Sequence, residues 1–361
     1  MKIVQVVSNL NWGDAIGNDI LAIDSALRQE GFSCQIMAVT IHEKLADRAR
    51  PVDFSILATE DLILFHKASG DALTAPVARL SCKKVLVYHN ITPAKYFLPY
   101  DWVMSWNLRR GRNQLKKYAP RMDFGWGDSQ YNRSELIASG MPEEKTAVLP
   151  ILFEPGKVAA LPDEATAVRL RQRPGSVLLF IGRVAPHKKF EDVIKVFWYY
   201  LRNEDPQAVL YLIGGWQGLE KYYAKLRGFV ADLGLTEDQV VFTGQVSDEV
   251  RNVCLRCADA LVCMSEHEGF CVPLLEAMRS DLPIVAFRAA AVPETLGDNG
   301  LVFDRKDYPA IAARIGRLRR DDAFRAEVIR RQRERLLHFS EEAAREKLLA
   351  LVRQAAGGIG G

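Results

Sequence analysis

Two doubly wound α/β domains in tandem are the fold class this sequence predicts. Three observations point there. The chain has 361 residues, long for one domain and natural for two of roughly 150–180 residues each. Short apolar runs alternate with amphipathic segments from end to end. The alternation breaks once, at 150–163, where PILFEPGKVAALP holds three prolines and no helical period, which reads as an interdomain linker.

The first set of strands is read at 3–7 (IVQVV), 34–39 (CQIMAV), 62–65 (LILF) and 84–88 (KVLVY). These runs lack strict polar alternation, as strands covered on both faces do. Between the first two, Ile16, Ile20, Ile23 and Leu27 share one helical face, and Gly31 supplies the stop. Phe124–Gly127 as a strand, a helix through Arg133–Ser139 ending at Gly140, and a strand near Ala147–Leu149 close this set. After the break come strands near 177–181, 208–213, 239–243, 259–263, 283–287 and 301–303. Among the helices between them, Phe190, Val193, Ile194, Phe197 and Leu201 form one apolar face. Beyond about 307 the chain reads as helical and charged to Ala356, with a GGIGG tail expected to fray. The domains are therefore set at 1–152 and 165–335, with 336–361 a C-terminal helix packing back toward the first. Two such sheets facing each other would bring the carboxyl ends of their strands to a central cleft, where ligands bind in such folds.

Composition narrows the function. A net charge of +3 argues against a dedicated nucleic-acid binder. No apolar run of about 18 residues exists to cross a membrane, and MKIVQVVSNL lacks the pattern of a signal peptide, so the chain is expected in the cytoplasm. Cys254 and Cys257 form a C-x-x-C with no second metal-ligand pair at a finger-like spacing, and they read as reduced, structural cysteines.

The most informative segment is SEHEGFCVPLLEAM at 265–278, directly after a buried strand. Pro273 suits the first turn of a helix carrying Leu274–Met278. The N–H groups from Gly269 onward would then converge on an anion, with diphosphate the obvious candidate. Glu268 in the loop and Glu276 in the first turn would aim at the same volume and accept hydrogen bonds from sugar hydroxyls. The bland reading of Glu276 is a charge complementing the helix dipole. GRVAPHKK at 182–189 follows another strand, so Arg183 and Lys188 would project from its carboxyl end, either to neutralise a leaving diphosphate or as a solvated basic turn. VVSNLNWGDAIGNDI has Gly13 and Gly17 flanking a short loop that opens a helix, without a full dinucleotide fingerprint. In VYHNITP, His89 at a strand end reads as a group orienting donor or acceptor, or as a capped polar residue; His42, His66 and His338 read as incidental.

Together these residues resemble the retaining family-4 glycosyltransferases, whose two-domain fold is known as GT-B. The resemblance covers essentially the whole chain and is strongest from Phe180 to Phe303. Glu268 and Glu276 match the family's E-x7-E signature, and Arg183 and Lys188 its G-R…K pair. The resemblance implies that Glu268 contacts the transferred sugar and Glu276 the donor ribose. It implies that Phe270, Cys271 and Val272 present N–H groups to the diphosphate, beside Gly269, while Arg183 and Lys188 hold its charge. Gly13 resembles the loop glycine that closes over the phosphates, His89 the strand-end histidine near the donor sugar, and Gly215 with the Gly244–Val246 turn the base-binding edge. Lys189 stands where the family often has Gly after its lysine, Cys271 replaces the second Gly of E-G-F-G, and Ala290-Ala291 replaces Gly-Gly before Pro293-Glu294. No metal or cofactor is implied. The implied reaction is hexosyl transfer with retention from a nucleotide-diphosphate sugar, GDP-mannose favoured over a UDP-sugar, to a hydroxyl of a glycan or lipid-linked acceptor in surface-polysaccharide assembly.

The basic segment 108–121 contains Arg109, Arg110, Arg112, Lys116 and Lys117. It reads either as a contact with an anionic membrane surface or as a solvated helix face. Trp102 and Trp106 nearby read as core residues, with sugar stacking as the alternative. Competing functions are a non-catalytic nucleotide-sugar-binding scaffold of the same fold, a phosphorylase and a nicotinamide oxidoreductase, the last lacking its fingerprint.

Overall fold

The computed structural model describes residues 2–152, 163–297 and 300–357. Most of the linker predicted at 150–163 and the last four tail residues lie outside the described residues. The chain divides into two compact units.

The first unit gathers residues 2–95, 102–152 and 339–357. Its strands are β1 (Lys2–Leu10), β2 (Ser33–Ile41), β3 (Arg50–Pro51), β4 (Leu62–Lys67), β5 (Lys83–Tyr88), β6 (Phe124–Gly127) and β7 (Thr146–Val148). They form one sheet in the order β3-β2-β1-β4-β5-β6-β7, every pair parallel. Helices α1 (Ala15–Gln29), α2 (Thr74–Val77), α3 (Trp102–Tyr118) and α4 (Gln130–Ala138) connect them. The order reverses between β1 and β4, so the carboxyl ends of those strands make a switch point. Every residue of β4 is buried, which explains its unbroken apolar reading. The two-residue β3 went unread because its residues are exposed and one is proline.

The second unit gathers 96–101 and 163–338. After α5 (Glu164–Arg171) it alternates β8 (Val177–Ile181), α6 (Phe190–Asn203), β9 (Val209–Ile213), α7 (Glu220–Asp232), β10 (Val240–Gly244), α8 (Asp248–Cys257) and β11 (Ala260–Cys263). It continues through α9 (Val272–Arg279), β12 (Ile284–Phe287), α10 (Val292–Leu296), β13 (Leu301–Phe303), α11 (Tyr308–Arg320) and α12 (Asp322–Leu336). Its sheet, also parallel throughout, runs β10-β9-β8-β11-β12-β13 and switches between β8 and β11. Both sequence regions singled out for chemistry, after β8 and after β11, leave the sheet at that switch. Residues 96–101 cluster with this unit, although the sequence reading put them in the first.

The last helix, α13 (Glu341–Gly357), belongs to the first unit. Leu348, Leu349, Val352 and Ala355 enter one core with Ile3, Leu27, Leu62, Val85 and Trp126. Against the sequence reading, Trp102 and Trp106 are exposed, at 73% and 59%. On α3 the buried stripe is Ser105, Leu108, Gly111, Leu115 and Tyr118, and the tryptophans lie on the opposite side of the period.

Candidate active site

The centre of the second unit's switch point is an ion pair. Lys188 Nζ lies 2.7 Å from Glu268 Oε1, and both side chains are largely shielded, at 14% and 10% exposure. Lys188 ends the turn Pro186–Lys188 that follows β8, and Glu268 stands in the loop that follows β11. The two loops are tied by the backbone, Glu266 N–H donating to His187 O at 2.9 Å. Burial by itself would depress the lysine's pKa, but Glu268, with Cys271 and Cys263 nearby, holds it above the ordinary range. The ammonium is therefore a fixed charge in a poorly solvated place.

Lys189, one residue on, takes the left-handed conformation (φ +52°) that caps α6, and its ammonium sits 3.4 Å from Glu266 in a half-exposed pair. Of the two lysines, only Lys188 joins Glu268. Arg183 Nη2 donates to Gln217 O at 2.9 Å, and Val184 N–H donates to Gly215 O at 2.9 Å, so the loops after β8 and β9 run side by side. Gly214 allows this approach: a Cβ there would fall 2.0 Å from the Gly182 carbonyl oxygen.

The N-terminus of α9 begins at Val272 with Pro273 in its first turn. Cys271 precedes it as the cap residue at φ +72°, and its side chain makes no cap hydrogen bond to the helix. Phe270 is buried, its carbonyl accepting from Thr295 Oγ1 at 2.5 Å. An uncapped, dipole-positive helix end next to a buried lysine is a place for an anion. Cys271 and Ala290 (φ +47°) both hold left-handed backbone where the family usually has glycine. The departures change the side chain and keep the turn.

Glu276 is the fifth residue of α9, one turn deeper than the sequence reading put it. It is buried, with Arg251 Nη2 3.3 Å from its Oε1. Burial raises its carboxyl pKa, with Asp248 adding to the rise and Arg251 opposing it. Arg251 also bonds Asp248 at 3.0 Å. Sequence reasoning passed over Arg251 because one arginine inside an amphipathic helix carries no signal of its own. Val246 lies half-buried past β10, and Gly244 faces Trp216, whose ring stacks on Tyr223 at 4.1 Å. Cys254 and Cys257 carry free thiols at the end of α8.

Gly13 and His89 belong to the first unit. Gly13 (φ +80°) opens the loop before α1, whose cap Asp14 accepts from Gly17 N–H at 2.6 Å. Gly17 is inside the first turn, where any Cβ would meet Asn11 O at 2.1 Å. His89 is buried beyond β5: its Nδ1 is 3.1 Å from Asp128 and its Nε2 2.8 Å from His66 Nδ1. His66, read as incidental, is thus a full partner, fixed on its other side by Gln5 Oε1 at 3.0 Å. On α3, Arg112 turns inward to Glu135 and the Ile91 carbonyl, while Arg109, Arg110, Lys116 and Lys117 stay exposed.

Residues 164–335, which carry every part of this second-unit site, match the family described as glycosyl transferases group 1. That match spans just under half of the chain and makes it similar to the group 1 glycosyl transferases. Its overall architecture agrees: the chain aligns over 98% of its length with HepE of Anabaena bound to UDP-glucose (TM-score 0.74, 19% identity, all of that chain covered). It aligns over 99% with sucrose-phosphate synthase of Thermosynechococcus elongatus (TM-score 0.75, 17% identity, all of that chain covered). These likenesses show the GT-B fold. In sequence, it is 27% identical over 55% of its length to the O-antigen chain mannosyltransferase B of Escherichia coli, spanning 51% of that protein. It is 28% identical over 72% to a GDP-mannose-dependent phosphatidylinositol monomannoside mannosyltransferase of Mycolicibacterium smegmatis, spanning 68% of that protein. The chain thus spans about half the length of the first of these relatives.

Proposed function

We propose that this chain is a retaining glycosyltransferase that moves a mannosyl group from GDP-mannose to a hydroxyl of a glycan or lipid-linked acceptor, without a metal. The observation that carries the reading is the buried Lys188–Glu268 pair beside the uncapped end of α9. It offers a fixed cation and a helix N-terminus to a diphosphate, and a carboxylate to a sugar hydroxyl. GDP-mannose is favoured because mannosyl transfer recurs in the names of the relatives; a UDP-sugar is the alternative, from the ligand named for the Anabaena structure.

In this reading the acceptor oxygen attacks the anomeric carbon on the face from which the diphosphate leaves. The bond from that carbon to the phosphate oxygen breaks through an oxocarbenium-like state, and the acceptor proton passes to a donor phosphate oxygen. Arg183, Lys188 and the Phe270–Val272 amides, with Gly269 letting the backbone come close, stabilise the charge on the leaving group. Glu276 accepts from the ribose, and Gly215 and Val246 line the base. A role in surface-polysaccharide or glycolipid synthesis is proposed with it. So is a peripheral contact of α3 with anionic lipid at the inner face of the membrane.

The test is calorimetric titration with GDP-mannose, GDP, UDP-glucose and UDP in the presence of EDTA, followed by product stereochemistry with a mannoside acceptor. Selective GDP-mannose binding that Glu276→Ala removes, and an α-mannoside product, are expected. Binding without turnover of any donor would favour the scaffold reading, and turnover only with added Mg2+ would overturn the metal-free mechanism.

A further inference from the structure

The histidine pair of the first unit has its protons assigned by geometry. Gln5 Nε2 donates to the Ile20 carbonyl at 3.0 Å, and a carbonyl can only accept, so the amide orientation is set. Gln5 Oε1 therefore faces His66 Nε2 at 3.0 Å, and that nitrogen must carry a hydrogen. His66 is fully enclosed, which together with the neighbouring His89 keeps it neutral. Its Nδ1 is then a lone pair, and His89 Nε2, 2.8 Å away with the rings nearly coplanar (6°), must be the donor. The other nitrogen of His89 faces the Asp128 carboxylate at 3.1 Å and donates there too.

We propose that His89 is held as a buried imidazolium, both N–H groups donated inside the protein, and that it positions the loop it opens without acting as a base. An imidazole holds a proton more tightly than a carboxylate by roughly two to three powers of ten in water, which puts the shared proton on His89 and not on Asp128. Besides His66 on β4 and Asp128 after β6, the charged groups facing His89 are Asp19 on α1 and Asp14 at its cap. Burial opposes the charge, and all three carboxyl groups favour it. The loop follows at once: Asn90 takes φ +75° and donates to Asn132, and Ile91 N–H donates to Tyr88 Oη. This refines the orienting role given to His89 above, and it does not depend on the donor or on turnover.

The assignment has a second consequence. Asp19, His66 and His89 bring ligand-type atoms within 4.8 Å of one another, the arrangement of a candidate cation site. With both nitrogens of His89 protonated and the one lone pair of His66 accepting, no imidazole lone pair remains for a metal.

The test is long-range 1H–15N correlation on the full chain labelled at histidine, at pH 7.5, with six ring systems to resolve. Expected are an imidazolium at pH 7.5 from His89 and a neutral Nε2–H ring from His66. Asp128→Asn should convert the imidazolium to a neutral ring at pH 7.5, and Gln5→Leu should leave His66 as the Nε2–H tautomer, because the His89 Nε2–H still donates to its Nδ1. A wild-type spectrum with no imidazolium at pH 7.5 would overturn the proposal even if both variants failed to fold. So would stoichiometric Zn2+ binding that shifts the two buried rings.

Discussion

The ammonium of Lys188 and the carboxylate of Glu268 meet at 2.7 Å across two loops that are 80 residues apart in sequence. Neither charge has much solvent, so each depends on the other. Lys188→Met leaves a carboxylate buried alone, and such breaks cost about 3–5 kcal/mol. The same change removes a cation from the proposed leaving-group site, worth about 100- to 1000-fold in kcat. Denaturation midpoints and single-turnover rates of Lys188→Met, Glu268→Gln and the double variant separate the two effects. Stability should recover substantially in the double variant and activity should not.

Lys189 gives the contrasting case. Its left-handed backbone at φ +52° is one that glycine adopts without strain. Its own ion pair is half-exposed and weak. Lys189→Gly is expected to change stability by less than about 1 kcal/mol and turnover by less than about threefold. A loss matching that of Lys188→Met, measured by the same assays, would transfer the role to Lys189.

Donor binding should depend on pH through Glu276. Burial raises its carboxyl pKa, and only the ionised form is a pure acceptor for ribose hydroxyls. Affinity for nucleotide is therefore expected to hold at high pH and fall on acidification, starting above the pH at which an exposed glutamate titrates. Calorimetric Kd values from pH 8 to pH 5 should show the fall in the wild type and a weak, flat profile in Glu276→Gln.

Asp19 predicts a pH dependence of stability. Its carboxyl pKa is pushed up to about 7, chiefly by burial, with the nearby Asp128 adding and His89 and the Leu152 amide opposing. A folded pKa above the unfolded one means that the native state binds the extra proton. Stability is then highest below about pH 4 for this group and declines as pH rises toward 7. The decline attributable to Asp19 is roughly 4 kcal/mol if nothing relaxes. Asp19→Asn keeps an oxygen for the Leu152 amide, so it should be the more stable protein at pH 8 and flatten the curve between pH 4 and 7. Urea melts across that range check it.

The exposed face of α3 sets Trp102, Val103 and Trp106 ahead of Arg109, Arg110, Lys116 and Lys117. Interfacial aromatics beside cations suit an anionic lipid surface. Sedimentation with vesicles containing phosphatidylglycerol should carry the protein down. Trp102→Ala/Trp106→Ala and Lys116→Glu/Lys117→Glu should each weaken binding by about tenfold. Equal binding to neutral vesicles, or none at all, would dismiss the contact.

Strands were the most legible features, because burial on both faces leaves runs such as LILF and VLLFI with nothing polar to disguise them. The loops after β8 and β11 were legible as positions, since glycine, proline and charge cluster there. What escaped were relationships across the fold. His66 looked incidental because its partners, Gln5 and His89, lie 61 and 23 residues away. Arg251 was invisible for the same reason. Trp102 and Trp106 were misread because indole size suggests a core, while the helical period that exposes them is set by Leu108, Gly111 and Leu115. Periodicity deserved more weight than residue type.

The return of α13 into the first unit's core has a consequence for how the chain is made. Every residue of the second unit precedes α13 in the chain, so that half is fully specified before the first unit's core is. The first unit, although translated earlier, waits with Ile3, Leu62 and Val85 uncovered until Leu348 and Val352 arrive. A chain cut after His338 keeps every described residue of the second unit and leaves the first unit's core open where α13 packs.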